Sequence, residues 1–390
     1  MAGRALLIDV VRSPFGRGRE DGILHATHPV DLFAQTLQAL IARSGIDAAE
    51  VDDLIAGCVI QVGEQAANIG RQAWLAAGLP ESVPAVTIDR KCGSAQQAMD
   101  FAAQGVIAGA YDVVIAGGVE MMGRVAMGSN RIGQDNFGPL HRARYPDGLV
   151  HQGISAELIA AKWQLDRASL DAFALRSHQR AAAAAERGLT GRDIVAIGDA
   201  ATDEGIRPDT SLARLGQLKT AFENEKMAAR YPEIEWGVTA GNSSQVSDGA
   251  SAMLIASEQA AARLGLKPRA AITNFAVAGD DPIFMLTGII PATRKLLARA
   301  EMALGDIDLF EVNEAFSSVV LAWMRELGAA EEKINVNGGA IALGHPVGAS
   351  GGRLTANLVS ALEETGGRYG LQTMCESGGM ANATLIERLD

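Results

Sequence analysis

The sequence is poor in cysteine, basic charge, aromatic residues and long apolar runs, and each scarcity closes off a class of function. Three cysteines occur in 390 residues, Cys58, Cys92 and Cys375, odd in number, far apart and without a CxxC pair. That usage argues against a disulfide framework or a zinc site and makes a reducing cytosol the expected setting. Aromatics make up only 5% of the chain, against 44 glycines, which suits short βα turns and closely packed helices better than an aromatic-rich β-sandwich. The formal net charge of −12 argues against nucleic acid or an anionic membrane surface as the main partner; a local basic patch still leaves room for a small anionic ligand. No stretch approaches the roughly 18 apolar residues of a membrane span. "MAGRALLIDVVRSPFG" has too short an apolar run, broken by Asp9, for a signal peptide. The expected protein is cytoplasmic, not inserted in a membrane, and long enough for two or three domain-sized units.

What is present is repetition. "ALLIDVV", "DDLIAGCVI", "PAVTID" and "YDVVIAGG" read as strands, alternating with helices over "VDLFAQTLQALIARSG", "ANIGRQAWLAAG" and "SAQQAMDFAAQGVIAG". Such alternation predicts a largely parallel sheet covered by helices. The last 120 or so residues do the same, with strands over "AAITNFAVAG", "DIDLFEVNE", "KINVNGG" and "YGLQTMCESGG" and helices over "PATRKLLARAEMA", "SSVVLAWMRELG" and "SGGRLTANLVSALEETG". "LIARSGIDAAEVDDLIAG" and "LLARAEMALGDIDLFEV" share a helix end, an acidic link and an Asp-Leu strand start, with Arg43 matching Arg299 and Asp53 matching Asp308 at an offset of about 256. An internal duplication follows: an N-terminal α/β half over 1–119, completed by about 247–267, and a C-terminal α/β half over 268–390. Between them lies an inserted loop domain, 120–246, which opens on a long Gly- and Asn-rich stretch before two helices, "SAELIAAKW" and "RASLDAFALRSHQRAAAAAERG". A long structureless stretch in a compact protein is usually functional or an interface.

Four polar spots fall where strands meet loops or helices, the place where open α/β sheets build their sites. Cys92 follows "AVTID" and precedes a helix, Asn313 lies in "EVNEAF", His345 in "NGGAIALGHPVGASGGR", and Cys375 ends a strand and enters "ESGG". A helix N-terminus suits a working thiolate at Cys92. Taken singly, each has an ordinary structural reading: a packed thiol, or an asparagine capping the next helix. The case rests on the constellation.

"RKCGSAQQA", "VTAGNSSQVSDGA", "NEAF", "GGAIALGHPVGASGGR" and "CESGGMA", in this order and spacing, resemble the thiolase family, the acetyl-CoA acyltransferases, over essentially the whole chain. The resemblance implies duplicated α/β halves layered α-β-α-β-α, and an acyltransferase with no permanently bound cofactor and coenzyme A as co-substrate. It implies that Cys92 is the acylated nucleophile, its pKa lowered by the helix N-terminus and a nearby imidazole, that His345 is the base, and that Cys375 is a general acid/base at the α-carbon of acetyl-CoA. His345 and a water held by Asn313 resemble one oxyanion site, and the backbone N–H groups of Cys92 and Ser377 the other. Lys219 and Ser244 match positions that touch coenzyme A, His151 and Phe316 positions lining the tunnel near the thioester, and Met285 a position near the acyl group. Family members are dimers, often paired into tetramers, and "MGSNRIGQDNFGPL" matches the place of a tetramer-forming loop.

The chain departs from the family pattern near the acyl pocket. The usual C-x-G-x-G reads C-E-S-G-G, Gln152 stands where short-chain members often carry Met, Leu286 and Ile289 replace Gly and Pro, and 223–236 are lengthened. Gln152 and Leu286 are therefore candidates for acyl specificity. The expected activity is CoA-dependent cleavage of a 3-oxoacyl-CoA, or the reverse condensation, in fatty acid or lipid metabolism. Alternatives are an acetoacetyl-CoA-specific biosynthetic enzyme and a non-catalytic acyl-CoA-binding protein. "GASGG" also fits a serine-hydrolase elbow, but that fold needs a histidine later in the chain, and all six lie at or before position 345.

Overall fold

Strands buried on both faces determine the layers. The computed structural model describes residues 4–389. Its strands are β1 (Ala5–Arg12), β2 (Gly16–Arg17), β3 (Asp53–Gly57), β4 (Ala85–Ile88), β5 (Val113–Met121), β6 (Ser247–Ser257), β7 (Ala270–Gly279), β8 (Leu309–Val312), β9 (Tyr369–Glu376) and β10 (Met380–Arg388). They follow one hydrogen-bonded path, β4-β3-β5-β6-β1-β7-β10-β9-β8, with β2 on β6. In β1, Leu6 and Ile8 face outward onto Leu32 and Phe33 of helix Pro29–Ser44 and Trp74 of helix Ile69–Ala76. Ala5, Leu7 and Val10 face the other way, onto Ala98 and Ala102 of helix Ser94–Ile107 and Val359 and Leu362 of helix Ser350–Thr365. Helices Ile289–Ala300 and Ser317–Leu327 cover the far side of β7–β10. The layers run α-β-α-β-α.

The strand directions repeat. β3 is parallel to β5, and β5–β6 and β6–β1 are antiparallel. β8 is parallel to β9, and β9–β10 and β10–β7 are antiparallel. The join between the two sets is short, three Cα pairs from Ala5↔Ile272 to Leu7↔Ala270. The expectation of a largely parallel sheet is corrected. Among the described residues only β3–β4, β3–β5 and β8–β9 are parallel, because β9 returns directly into β10 and a short hairpin connection permits only an antiparallel pair. "KINVNGG" forms no strand either. Ile334 makes one isolated bridge to Phe310, and the Asn335 side chain supplies the next contacts by accepting from Val312 N at 2.8 Å and donating to Val312 O at 2.9 Å.

The two central helices position the site. A Cβ on Gly351 would lie 2.2 Å from Gln96 N, so the backbones meet directly and only glycine fits there. The segment between the halves contributes helices Gln152–Lys162 and Arg167–Glu186 and is anchored by a buried bidentate pair, Arg12 to Asp203, at 2.7 Å for each bond.

Candidate active site

Cys92 sits two residues before the first helical residue, Ser94, in a turn that its neighbours hold rigidly. Asp89 Oδ1 accepts from Lys91 N at 2.7 Å, and Lys91 adopts a left-handed φ of 50°. Ser94 Oγ accepts from Arg90 N at 2.9 Å and donates to Lys91 O at 2.6 Å. Cys92 is buried and packs with Met122, Val347 and Met374. Val347 belongs to the His345 loop, so the Cys92 turn and the histidine-bearing loop share one small cluster.

The His345 loop is tied at both ends. Glu314 accepts from Ser177 Oγ (2.6 Å), Asn335 Nδ2 (2.9 Å) and Ile341 N (3.1 Å), and His345 N donates to Gln245 O and to Ser247 Oγ. His345 Nδ1 lies 2.7 Å from Ser350 Oγ, and Ser350 Oγ lies 2.8 Å from Pro346 O. The hydroxyl has one hydrogen; given to the carbonyl, it leaves the oxygen to accept from Nδ1–H, and this network assigns the lone pair to Nε2. Asn313 Nδ2 faces that Nε2 at 3.5 Å and also hydrogen-bonds the Cys375 thiol. Asn313 thus lies between the imidazole and the second cysteine.

Register explains why these groups converge. Gly57 pairs with Gly118 and Val312 with Thr373, so Asn313 and Cys375 occupy in the second half the places of Cys58 and Glu120 in the first. In the first half Glu120 binds Val59 N at 2.8 Å and Gln65 Nε2 at 2.6 Å, a structural clamp. The same two positions carry a clamp in one half and candidate chemistry in the other.

The expected lowering of the Cys92 pKa by its helix N-terminus and an imidazole is corrected. Burial pushes the Cys92 thiol up, and negative charge at Cys375 and Glu376 pushes it further. Burial raises Cys375 to about 12, moderated by the Asn313 hydrogen bond, and burial with the nearby Arg353 lowers His345 to about 3. A helix terminus contributes about 0.3–2 kcal/mol, whereas desolvating a charge costs several. The free site therefore holds two neutral thiols and a neutral imidazole with an available lone pair, a set suited to moving protons around a thioester.

Of the remaining nominated residues, Ser377 lies in the β9–β10 turn with Gly378 at φ 95° and Gly379 at φ 78°. His151, exposed at the start of helix Gln152–Lys162, packs tilted against Phe222 at 5.4 Å between ring centroids, and Phe222 meets buried Phe316 at 6.0 Å. Ser244 N donates to Ala315 O at 2.9 Å, which brings it beside Phe316. Met285 is buried at φ 46° in the same core cluster as Phe316. Gln152 is half-buried, and Leu286 is core, 1% exposed, so any influence it has on an acyl pocket is exerted from behind. Lys219 is exposed on the loop leading to Phe222, apart from the Cys–His–Cys group. Sequence reasoning missed three residues: Ser350, whose signal was read only as a hydrolase motif; Phe222, the aromatic closing "LKTAF"; and Glu376, buried beneath Cys92.

Comparison with known proteins covers the whole chain. The model "Thiolase, N-terminal domain" matches residues 5–259 and "Thiolase, C-terminal domain" residues 266–388. A steroid 3-ketoacyl-CoA thiolase of Mycobacterium tuberculosis is 48% identical, covering 99% of this chain and 94% of the relative. A 3-ketoacyl-CoA thiolase of Yersinia pestis is 44% identical, covering 98% of this chain and 99% of the relative. The crystal structure of the Bacillus anthracis acetyl-CoA acetyltransferase superposes with a TM-score of 0.88 at 36% identity, covering 100% of this chain and 99% of that one.

Proposed function

This chain belongs to the thiolase family, an acyltransferase that cleaves 3-oxoacyl-CoA thiolytically, and on that premise we propose how its own residues carry the reaction. The Cys92 thiolate attacks C3 of the 3-oxoacyl-CoA, and His345 Nε2 takes the thiol proton. The C2–C3 bond breaks, the acyl group stays on Cys92, and the acetyl-CoA enolate leaves with a proton from Cys375. A second CoA thiol gives its proton to the Cys375 thiolate and attacks acyl-Cys92, releasing the shortened acyl-CoA while His345 returns its proton to the Cys92 sulfur. His345 with a water on Asn313, and the N–H groups of Cys92 and Ser377, meet the oxyanions. The observation that carries this reading is Asn313 between His345 Nε2, at 3.5 Å, and the Cys375 thiol. His151, Ser244, Met285 and Phe316, with Lys219 at the rim, are the proposed contacts of the CoA arm and acyl group.

The proposal extends to a medium or bulkier acyl group, supported by Gln152, Leu286 and Ser377 in place of the short-chain pattern and by the relative named for steroid substrates. An acetoacetyl-only enzyme is the second reading, favoured by the acetyltransferase neighbour. Residues 1–119 with 247–267, 120–246 and 268–390 are the proposed domains. A homo-oligomer in the cytoplasm is proposed, supported by three free thiols, an edge strand β4 with Val86 exposed, and apolar Ile132 and Leu140 exposed in the inserted segment. Among the described residues no helix is long and apolar enough to cross a membrane.

Intact-protein mass spectrometry after mixing with acyl-CoA tests the intermediate. One acyl adduct is expected, absent in Cys92→Ala; an adduct that persists in that variant overturns the assignment. A panel of 3-oxoacyl-CoA chain lengths tests the substrate, and cleavage confined to acetoacetyl-CoA would favour the second reading.

A further inference from the structure

A carboxylic acid lies buried beneath the candidate nucleophile without a hydrogen-bonding partner. Glu376 is 0% exposed, and neither of its oxygens has a partner among the described residues. Its side chain occupies the space a residue-93 side chain would need: a Cβ on Gly93 would lie 2.1 Å from Glu376 Oε1. Asn382 closes the same spot, its Nδ2 donating to Gly93 O at 3.2 Å while its Oδ1 is also unpartnered. Glu376 therefore braces the Cys92–Gly93 turn from below, while Cys375, one residue earlier on β9, belongs to the Cys–His group.

We propose that Glu376 is a positioning residue that sets the nucleophilicity of Cys92, supporting it as a neutral acid and opposing its thiolate once ionised. The inference rests on Cys92 being the nucleophile. A buried carboxyl that accepts no N–H and meets no cation within ion-pair distance is cheaper to keep protonated than charged. The groups facing it are few. The turn before the helix brings Arg90, Asp89 and Cys92, helix Ser94–Ile107 brings Asp100, its own strand brings Cys375, and β10 brings the uncharged Asn382 and Thr384. Asp100 Oδ1 already accepts from Thr384 Oγ1 at 2.7 Å. Burial raises Glu376 to about 8, with Arg90 opposing and Asp100 and Asp89 reinforcing the shift. As pH rises through that value a negative charge appears next to Cys92, and that charge disfavours a second one on sulfur.

The test is the pH dependence of Cys92 alkylation by iodoacetamide on the intact enzyme, with labelled peptides mapped by mass spectrometry. In the wild type the rate should rise with pH and then bend below the expected slope above about 8. Glu376→Gln should match the wild type below that point, lose the bend, and react on the order of 3–10-fold faster at the alkaline end. Glu376→Asp should keep a bend. A wild type without one overturns the proposal, whether or not the variants fold. So does a Glu376→Gln enzyme that keeps the bend, or one slowed equally at every pH as a mere packing defect is. A bend that disappears instead in Asp100→Asn overturns the assignment to Glu376. If Cys58 or Cys375 is labelled in preference to Cys92, the reading of the nucleophile fails and the role of Glu376 falls with it.

Discussion

Ser350 has one hydroxyl hydrogen, and its direction decides what His345 can do. With that hydrogen on Pro346 O at 2.8 Å, the serine oxygen holds Nδ1–H and leaves Nε2 to accept a proton. Ser350→Ala is expected to lower kcat by about tenfold or more with KM nearly unchanged, because the serine is fully buried and meets no substrate. Imidazole ¹⁵N shifts should show the Nδ1–H tautomer losing its dominance; an unchanged tautomer with unchanged kcat would sink the idea. The pH dependence has a definite sign. With His345 lowered to about 3, the neutral base is present at every pH above that, so kcat/KM should show no acid limb near 6.5. A limb there, removed by substitution at His345, would mean that the imidazole is more solvated than this geometry allows.

At the scale of elements, the strand ends bring the turns of the candidate site together. Gly118 on β5 lies under the His345 loop: a Cβ there would lie 2.1 Å from Gly348 O and 2.6 Å from Gly57 O. Gly118→Ala is therefore expected to destabilise the protein by about 1–3 kcal/mol and to reduce kcat by displacing the loop. Denaturant unfolding and steady-state kinetics check the two effects, and a variant of normal stability and rate would show that the loop gives way without consequence. The duplication takes on chemical meaning at this scale. Glu120 and Cys58 tie down one half, while Cys375 and Asn313, at the equivalent positions, face the histidine of the other. One copy of the register serves as scaffold and the other holds the groups proposed to carry protons.

For the molecule as a whole, Ile132 is 72% and Leu140 89% exposed in the inserted segment, the two most exposed large apolar side chains among the described residues. If these residues pair dimers into tetramers, Ile132→Glu with Leu140→Glu should halve the mass seen by light scattering and leave kcat per subunit intact. An unchanged mass would remove this loop from the assembly. The proposed acyl contacts also belong at this scale, because Met285 and Phe316 lie in one core cluster with Ala156 of the inserted segment.

The sequence by itself determined the alternation of strands and helices and the duplication, and it nominated the residues of the candidate site. Short apolar strands and amphipathic helices are local patterns, and Cys92, Asn313, His345 and Cys375 stand in motifs whose spacing is readable without coordinates. Strand direction was not legible, because β6 and β10 pair through long-range ladders that no window of residues encodes. Nor was the charge state of the site. A helix N-terminus argues for a thiolate at Cys92, and only tertiary burial, which strips water from the thiol and sets Glu376 beneath it, reverses that balance. Ser350 is close to His345 in sequence, but Glu376 meets the Cys92–Gly93 turn only in the fold, and desolvation, which depends on everything packed around a group, is what the tertiary structure alone decides.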